Sequence, residues 1–359
     1  MKVVVIGGGI VGVSIAYHLS QAGIKDIVLF EREKMLGMGV TQYCSGGVRS
    51  QFTTSINVQF SKGSIGDFRS LAQTIGYQQC GYLILDAEAD SYPRVKMQND
   101  MGVASEYLSV DKLKQRFPYL SAAGIKSASF FGEDGIADPA SLIDHWYKQA
   151  VKNGVKFSFG TSVEEIVEET GRVIGIGVGG IVLRSEVVIL AAGIQSVELA
   201  KTCGIDIPIL KRRKYIFMVE GLKLKHPLIM EIPTGWYIKP EGDDDLIGMS
   251  GWEEAQDYEK QNESLQETLV ATVRRIPQAE NIRLKKTLSS MSDETPDKHA
   301  IIDNSRPGLI IATGFSGHGF MHSPATGKVV TSLVKGEKPE IEISALALKR
   351  KLSKELVAI

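Results

Sequence analysis

Val3-Val4-Val5-Ile6-Gly7-Gly8-Gly9-Ile10-Val11-Gly12 decides the fold of this 359-residue chain. Four β-branched residues in a row suit a parallel strand covered on both faces. Gly7, Gly9 and Gly12 then satisfy G-x-G-x-x-G at a junction of strand and helix. Gly7 permits the tight turn, Gly9 lets a pyrophosphate approach the backbone, and Gly12 lets the helix pack close to the strand. Apolar residues recur at helical spacing (Val11, Ile15, Leu19, Ala22) up to Gly23, a helix stop. Ile27 to Phe30 reads as a second buried strand, closed by Glu31. In this βαβ unit the free amides at Ile10 and Val11, at the positive end of the helix, suit phosphate charge. Glu31 can accept hydrogen bonds from ribose hydroxyls and disfavours a 2′-phosphate, which points to NAD or FAD rather than NADP. Arg32, the next residue, is expected at the same end of the cofactor.

Working outward, Asp138-Pro139-Ala140-Ser141 predicts a helix with Asp as N-cap and Pro at its first position, running to about Asn153. Val155 to Phe159, Ile174 to Val178, Ile181 to Val182 and Val187 to Leu190 read as strands, the last leading into Ala191-Ala192-Gly193. Residues from about 204 to 290 alternate differently, with strands at Tyr215 to Val219 and Trp236 to Lys239 and an acidic turn at Glu241 to Asp245. They read as an antiparallel sheet inserted into the nucleotide-binding part. Leu309 to Ala312 is a further buried strand, followed by Gly314 and a helix expected near Pro324. The expected class is α/β with an α+β insertion: a Rossmann-like dinucleotide-binding domain from residues 1–80, 135–205 and 285–359, and an antiparallel-sheet substrate domain from residues 81–134 and 206–284.

Composition narrows the function. Forty-one basic against forty-two acidic residues, with no like-charge run of five or six, give no reason to expect a nucleic-acid partner. Cys44, Cys80 and Cys203 are too few and too scattered for a disulfide framework or a CxxC site, which fits a reducing, cytoplasmic setting. No apolar run reaches the roughly 18–20 residues of a membrane span. Met1 to Leu19 is punctuated by glycines and lacks a cleavage site, so it is not read as a secretory signal. His318 and His322 have no His, Cys or Asp partner at metal-ligand spacing, and no metal is expected. Neither paired carboxylates nor a nucleophile with an adjacent base stands out, which leaves hydrolase chemistry without support.

The segments GGGIVG (7–12), GVRSQF (47–52), CGYLIL (80–85), DGIADP (134–139), TPDKHAIID (295–303) and ATGFSGHGFMHSP (312–324) together resemble the D-amino-acid oxidase superfamily. The resemblance falls in the branch of sarcosine oxidases, glycine oxidases, dimethylglycine dehydrogenases and archaeal L-proline dehydrogenase β-subunits. It implies FAD as the dinucleotide of the Rossmann-like domain, with Thr41, Ser45, Gly46 and Gly47 lining the pyrophosphate, ribityl and ring region. Val163 would serve adenine, Ala192 and Gly193 a second strand-to-glycine junction, and Gly314, Gly317, His318, Gly319, Phe320 and Met321 would cover the flavin ring. Arg49 is implied near the flavin face, where a planar guanidinium suits a carboxylate. Tyr237 matches a pocket tyrosine, and His318 is either a proton carrier or a local hydrogen-bonding group.

Two departures from the resemblance matter. Where monomeric sarcosine oxidases tether flavin through Cys, this chain has Ser290 before Met291, and residues 40–47 contain no His. Non-covalent FAD is therefore expected, with Cys44 the remaining candidate tether. Met321 replaces a substrate-binding Lys, and no Lys falls between Glu241 and Glu254, which favours dehydrogenase over oxidase. The expected activity is oxidation of a small amino acid such as L-proline or sarcosine by hydride transfer from the α-carbon to flavin N5, with a partner subunit or quinone as acceptor. The alternatives are a 2-hydroxy acid or glycerol 3-phosphate dehydrogenase, suited by the basic run Lys211 to Lys214, and a flavin-bearing subunit of an electron-transfer complex.

Overall fold

The computed structural model describes residues 1–249 and 259–350. The predicted βαβ unit is present: strand Lys2–Ile6, helix Ile10–Gln21 and strand Asp26–Phe30. The first strand is central, pairing in parallel with Asp26–Phe30 on one side and Val187–Leu190 on the other. Lys156–Ser158 and Leu309–Thr313 extend this sheet in parallel, and Ile301–Asp303 closes one edge antiparallel. Val3, Val5, Ile189 and Leu29 are buried with the first helix and helix Pro139–Lys152 on one face. Val4, Val188 and Leu190 are buried on the other, beneath an antiparallel meander of Glu165–Glu169, Arg172–Val178 and Ile181–Arg184. Burial on both faces is why these strands read as continuous apolar runs.

Helix Pro139–Lys152 starts as its sequence predicts, the Asp138 carboxylate accepting from the Ala140 and Ser141 amides at 3.1 Å each. The C-terminal helix differs from expectation. It spans Gly319–Lys335 and so begins five residues before Pro324, placing the proline inside the helix. Pro324 lacks the N–H that would reach the Phe320 carbonyl. The Ser323 hydroxyl donates to that carbonyl at 2.7 Å instead, so the break costs little.

The second sheet has eight strands, in the order Arg283–Glu294, Leu210–Glu220, Asp244–Gly248, Tyr237–Glu241, Leu228–Ile232, Tyr82–Asp86, Ser127–Phe131, Glu106–Ser109. It is mixed rather than wholly antiparallel. Leu228–Ile232 and Tyr82–Asp86, which join the two inserted segments, pair in parallel. The strand Arg283–Glu294 pairs along the full length of Leu210–Glu220, so residues 285–294 extend this sheet rather than the parallel one. Trp236, Phe217 and Ile247 are buried beneath it. Of the segments assigned from sequence, residues 250–258 and 351–359 lie outside the described residues, as does that part of the lysine-free stretch from Glu241 to Glu254.

Candidate active site

A cavity of about 990 Å³ runs from the Gly-rich turn to the mixed sheet. At its first end Gly7 has φ +108°, and a Cβ there would lie 2.4 Å from the Ala191 carbonyl oxygen. A Cβ on Gly12 would lie 1.9 Å from the Gly7 carbonyl oxygen. Both positions therefore require glycine. Gly9 caps the first helix without any side-chain hydrogen bond, and the first turn carries no acid, so the positive helix end stays available to an anion. The Thr41 hydroxyl accepts from the Ile10 amide at 3.2 Å. Glu31 accepts from the Gly8 amide at 2.6 Å and the Glu33 amide at 2.8 Å. Each carboxylate oxygen retains a lone pair, so the group is fixed by the main chain while still able to accept from a ribose. Arg32 and Val163 line the same end.

Gly9, Ile10, Val11, Ser45, Gly47, Ala192, Gly193, Gly317, His318, Gly319, Phe320 and Met321 also line the cavity. Three residues assigned to the cofactor from sequence do not: Gly12, Gly46 and Gly314. Gly12 packs on the Gly7 main chain, as above. Gly46 has φ +72° and leaves room for the Ala137 carbonyl, which a Cβ would approach to 2.1 Å. Gly314 has φ +67°, and its amide donates to the Asp293 carboxylate at 3.0 Å. These glycines shape the backbone behind the wall.

At the other end Arg49 is 2% exposed. Its guanidinium donates to the Gln51 carbonyl at 2.9 Å, faces His318 Nε2 at 3.4 Å and lies 4.0 Å above the Phe52 ring. Most of its N–H donors have no acceptor, and no carboxylate lies within ion-pair distance of it among the described residues. Burial pushes its pKa down, while Tyr82 and Asp134 act in the opposite direction. The ring contact contributes on the order of 1–2 kcal/mol when desolvated, too little to replace a counter-ion.

His318 is buried and neutral: burial and then the Arg49 charge push its pKa well below the ordinary value. With Nε2 facing a guanidinium donor, that nitrogen acts as acceptor, which fits the local hydrogen-bonding role better than a proton carrier. His322 lies one turn on, its pKa lowered to about 3 by burial, with Nε2 3.1 Å from the Ser61 hydroxyl. Tyr237 lines the cavity, and burial raises its phenol pKa. It faces Gly248 across the sheet, where a Cβ would come within 2.7 Å of the ring. Glycine in the strand interior makes room for the tyrosine.

One cavity residue has no role in the sequence reading, and others named there are brought to the same wall. Tyr82 lines the cavity, its phenol pushed up to about 12 by burial. Arg213 and Lys214 of the basic run line it too. Lys214 pairs at 3.1 Å, and Arg212 at 3.2 Å, with Glu294, which also binds Lys298. Period-2 alternation places 212 and 214 on one face, a signal that was available from sequence. Ser290 and Met291 line the cavity as well. The Cys44 thiol is pushed up to about 11 by burial, which leaves little thiolate to attack a flavin. Among the described residues no His, Cys, Asp or Glu cluster could hold a metal, and no helix is long and apolar enough to cross a membrane.

Fold and cavity together define a dinucleotide-binding oxidoreductase architecture. The family model described as FAD dependent oxidoreductase matches residues 2–333, and the chain belongs to that family. Its cofactor is FAD, which the open helix end, the glycine cradle and the length of the cavity fit. The crystal structure of L-proline dehydrogenase from P. horikoshii superposes with a TM-score of 0.89 at 26% identity, covering 97% of each chain. The chain is 27% identical to FAD-dependent oxidoreductase domain-containing protein 1 of Xenopus laevis, over 98% of this chain and 83% of the relative. It is 24% identical to 4-methylaminobutanoate oxidase (formaldehyde-forming) of Paenarthrobacter nicotinovorans, over 98% of this chain but 45% of that protein.

Proposed function

We propose that this flavoprotein oxidises a small amino acid, with a secondary amine such as L-proline or sarcosine as the preferred class. The observation that carries the reading is Arg49, a buried guanidinium on the cavity wall without a carboxylate partner. A substrate carboxylate would supply the missing counter-ion in bidentate geometry. FAD, when bound, supplies the acceptor for a hydride from the substrate α-carbon. The chain's part is to orient and desolvate. Arg49 fixes the carboxylate, Tyr237 offers a phenol that stays protonated at neutral pH, and Phe52 and Met321 pack apolar surface beside the guanidinium. The neutral His318 ring keeps the Arg49 charge undiluted.

In this reading residues 1–80, 135–205 and 285–359 serve FAD, and residues 81–134 and 206–284 serve the substrate, with the strand Arg283–Glu294 shared between them. FAD is held non-covalently, and electrons leave to a partner subunit or quinone rather than to oxygen. The likeness to L-proline dehydrogenase from P. horikoshii supports the dehydrogenase assignment. A second reading, oxidation of a 2-hydroxy acid or glycerol 3-phosphate, draws support from Arg213 and Lys214 on the cavity. Anaerobic mixing of the flavin-loaded protein with L-proline, sarcosine and glycerol 3-phosphate separates the two. Bleaching of the flavin band by an amino acid is expected; bleaching by glycerol 3-phosphate alone would replace the first reading with the second.

A further inference from the structure

Arg49 lies just past a two-stranded ribbon in which Gly47–Val48 pairs antiparallel with Gly135–Ile136, Val48 opposite Gly135. Asp134 directly precedes Gly135, as Arg49 directly follows Val48, and the Asp134 carboxylate reaches the Ser50 amide. Asp134 is fully buried, yet it does not touch the guanidinium. Its carboxylate accepts from the Ser50 amide at 2.7 Å and from Gln51 Nε2 at 3.4 Å. Gln51 Nε2 also donates to the Tyr82 carbonyl at 2.8 Å, and the Gln51 carbonyl is what holds Arg49 Nη1. The main chain of Asp134 is itself tied down, accepting from the Gly81 amide at 2.9 Å. A Cβ on the following Gly135 would lie 1.9 Å from the Gln78 carbonyl oxygen.

We propose that Asp134 is the positioning residue for Arg49: its buried carboxylate clamps the Ser50–Gln51 turn whose carbonyl sets the guanidinium in the cavity wall. The Ser50 amide, the Gln51 side-chain amide and the Ser50 hydroxyl all turn to this carboxylate. The two N–H donors need an acceptor at each oxygen, which an ionised carboxylate provides and a protonated one provides less well. The negative charge also offsets part of the cost of keeping Arg49 charged and buried. The inference rests on the proposal that Arg49 takes the substrate carboxylate. It adds that the acid which orders this arginine stands at the end of the first inserted segment, outside the 1–80 segment that carries Arg49, and acts through the main chain rather than by an ion pair.

Ionisation offers a readout in the unmodified protein. Burial raises the Asp134 carboxyl to about 7. Around it and Arg49 stand Tyr77, Tyr82, Cys80, Arg94 and His318. The phenols and the thiol are pushed up by burial, the His318 imidazole is pushed far down, and Arg94 is held on Asp86 at 3.0 Å. His322 is lowered to about 3. Among these groups Asp134 is the one whose charge changes near neutrality.

The test uses the full-length flavin-loaded protein with the amino acid that bleaches it and the corresponding amine lacking the carboxylate, for example L-proline and pyrrolidine. Asp134→Asn should raise KM for the amino acid about tenfold while moving KM for the amine less than about twofold, a difference of ~1.4 kcal/mol. Flavin content should not change. Added to Arg49→Ala, Asp134→Asn should bring no further loss of amino-acid affinity, because the two act as one unit. In the unmodified protein the ratio of the two KM values should favour the amino acid increasingly as pH rises through about 7, an outcome available even if the variant fails to fold. Equal losses for amino acid and amine, or a flat KM ratio across that pH range, would overturn the inference. If Arg49→Ala leaves amino-acid affinity unchanged, the carboxylate reading itself has failed; if it lowers affinity while Asp134→Asn does not, the inference alone has failed.

Discussion

The two ends of the cavity are built in opposite ways. At the Gly-rich turn the side chains are fixed by nearby main chain, Thr41 on the Ile10 amide and Glu31 on the Gly8 and Glu33 amides, and the Gly7 amide rests on the Phe30 carbonyl. At the Arg49 end, side chains from residues 49–52, 82, 134, 237 and 318–321 converge from distant parts of the chain, and a buried charge lacks a counter-ion. An end that binds one invariant cofactor can be completed by its own backbone. In the reading proposed above, the Arg49 end keeps an unmet electrostatic demand for a substrate carboxylate to satisfy.

The sharpest way to break this comparison is to disturb the completed end. Gly12→Val would force a side chain into the Gly7 carbonyl, and a loss of several kcal/mol, roughly 3 or more, is expected as overpacking against backbone that cannot yield. Loss of soluble, flavin-containing protein and a lowered melting temperature would record it. The incomplete end should respond differently. Arg49→Ala should cost roughly 100-fold in amino-acid affinity, about 2.7 kcal/mol, with flavin still bound. Unchanged affinity measured by flavin titration would remove Arg49 from the substrate side.

Smaller effects sharpen the contrast. The Asp134 carboxyl is raised to about 7 in the folded chain, so its contribution to stability is full below the unfolded carboxyl value near 3.9 and is lost as pH rises through about 7. Asp134→Asn should therefore flatten the fall in melting temperature between about pH 5 and pH 8, by on the order of 2 kcal/mol. An unaltered pH profile in scanning calorimetry would count against burial as the cause of the shift. Smallest is Thr41→Val, which removes one acceptor from the helix start. It should weaken FAD binding by about 1 kcal/mol, roughly fivefold, and leave the KM of the amino acid unchanged at saturating FAD.

How much could be read in the sequence divides along the same line. The turn, its helix and strand, and the Asp138-capped helix follow from glycine spacing, burial on both faces and capping, all local rules. The start of the last helix does not, because Pro324 normally marks a beginning, and the Ser323 hydroxyl that excuses it mid-helix is a side-chain detail. Nor does the parallel pairing of Leu228–Ile232 with Tyr82–Asp86, since no pattern within either strand specifies its neighbour. The resemblance implies that Gly46 and Gly314 meet the cofactor, yet neither lines the cavity: both have positive φ, Gly46 close against the Ala137 main chain and Gly314 against the Thr295 and Ile209 side chains.

By itself the sequence determined that a dinucleotide cofactor is bound, because a strand, three glycines and a helix end form one short contiguous unit. Tertiary structure alone decided what stands around Arg49. Phe52, Tyr82, Asp134 and His318 lie up to hundreds of residues apart, as the 269-residue separation of Arg49 from His318 illustrates. The cost of burying a charge is set by all of them together. Local pattern can specify a backbone turn; the dielectric and hydrogen-bonding environment of a side chain exists only once the chain has closed around it.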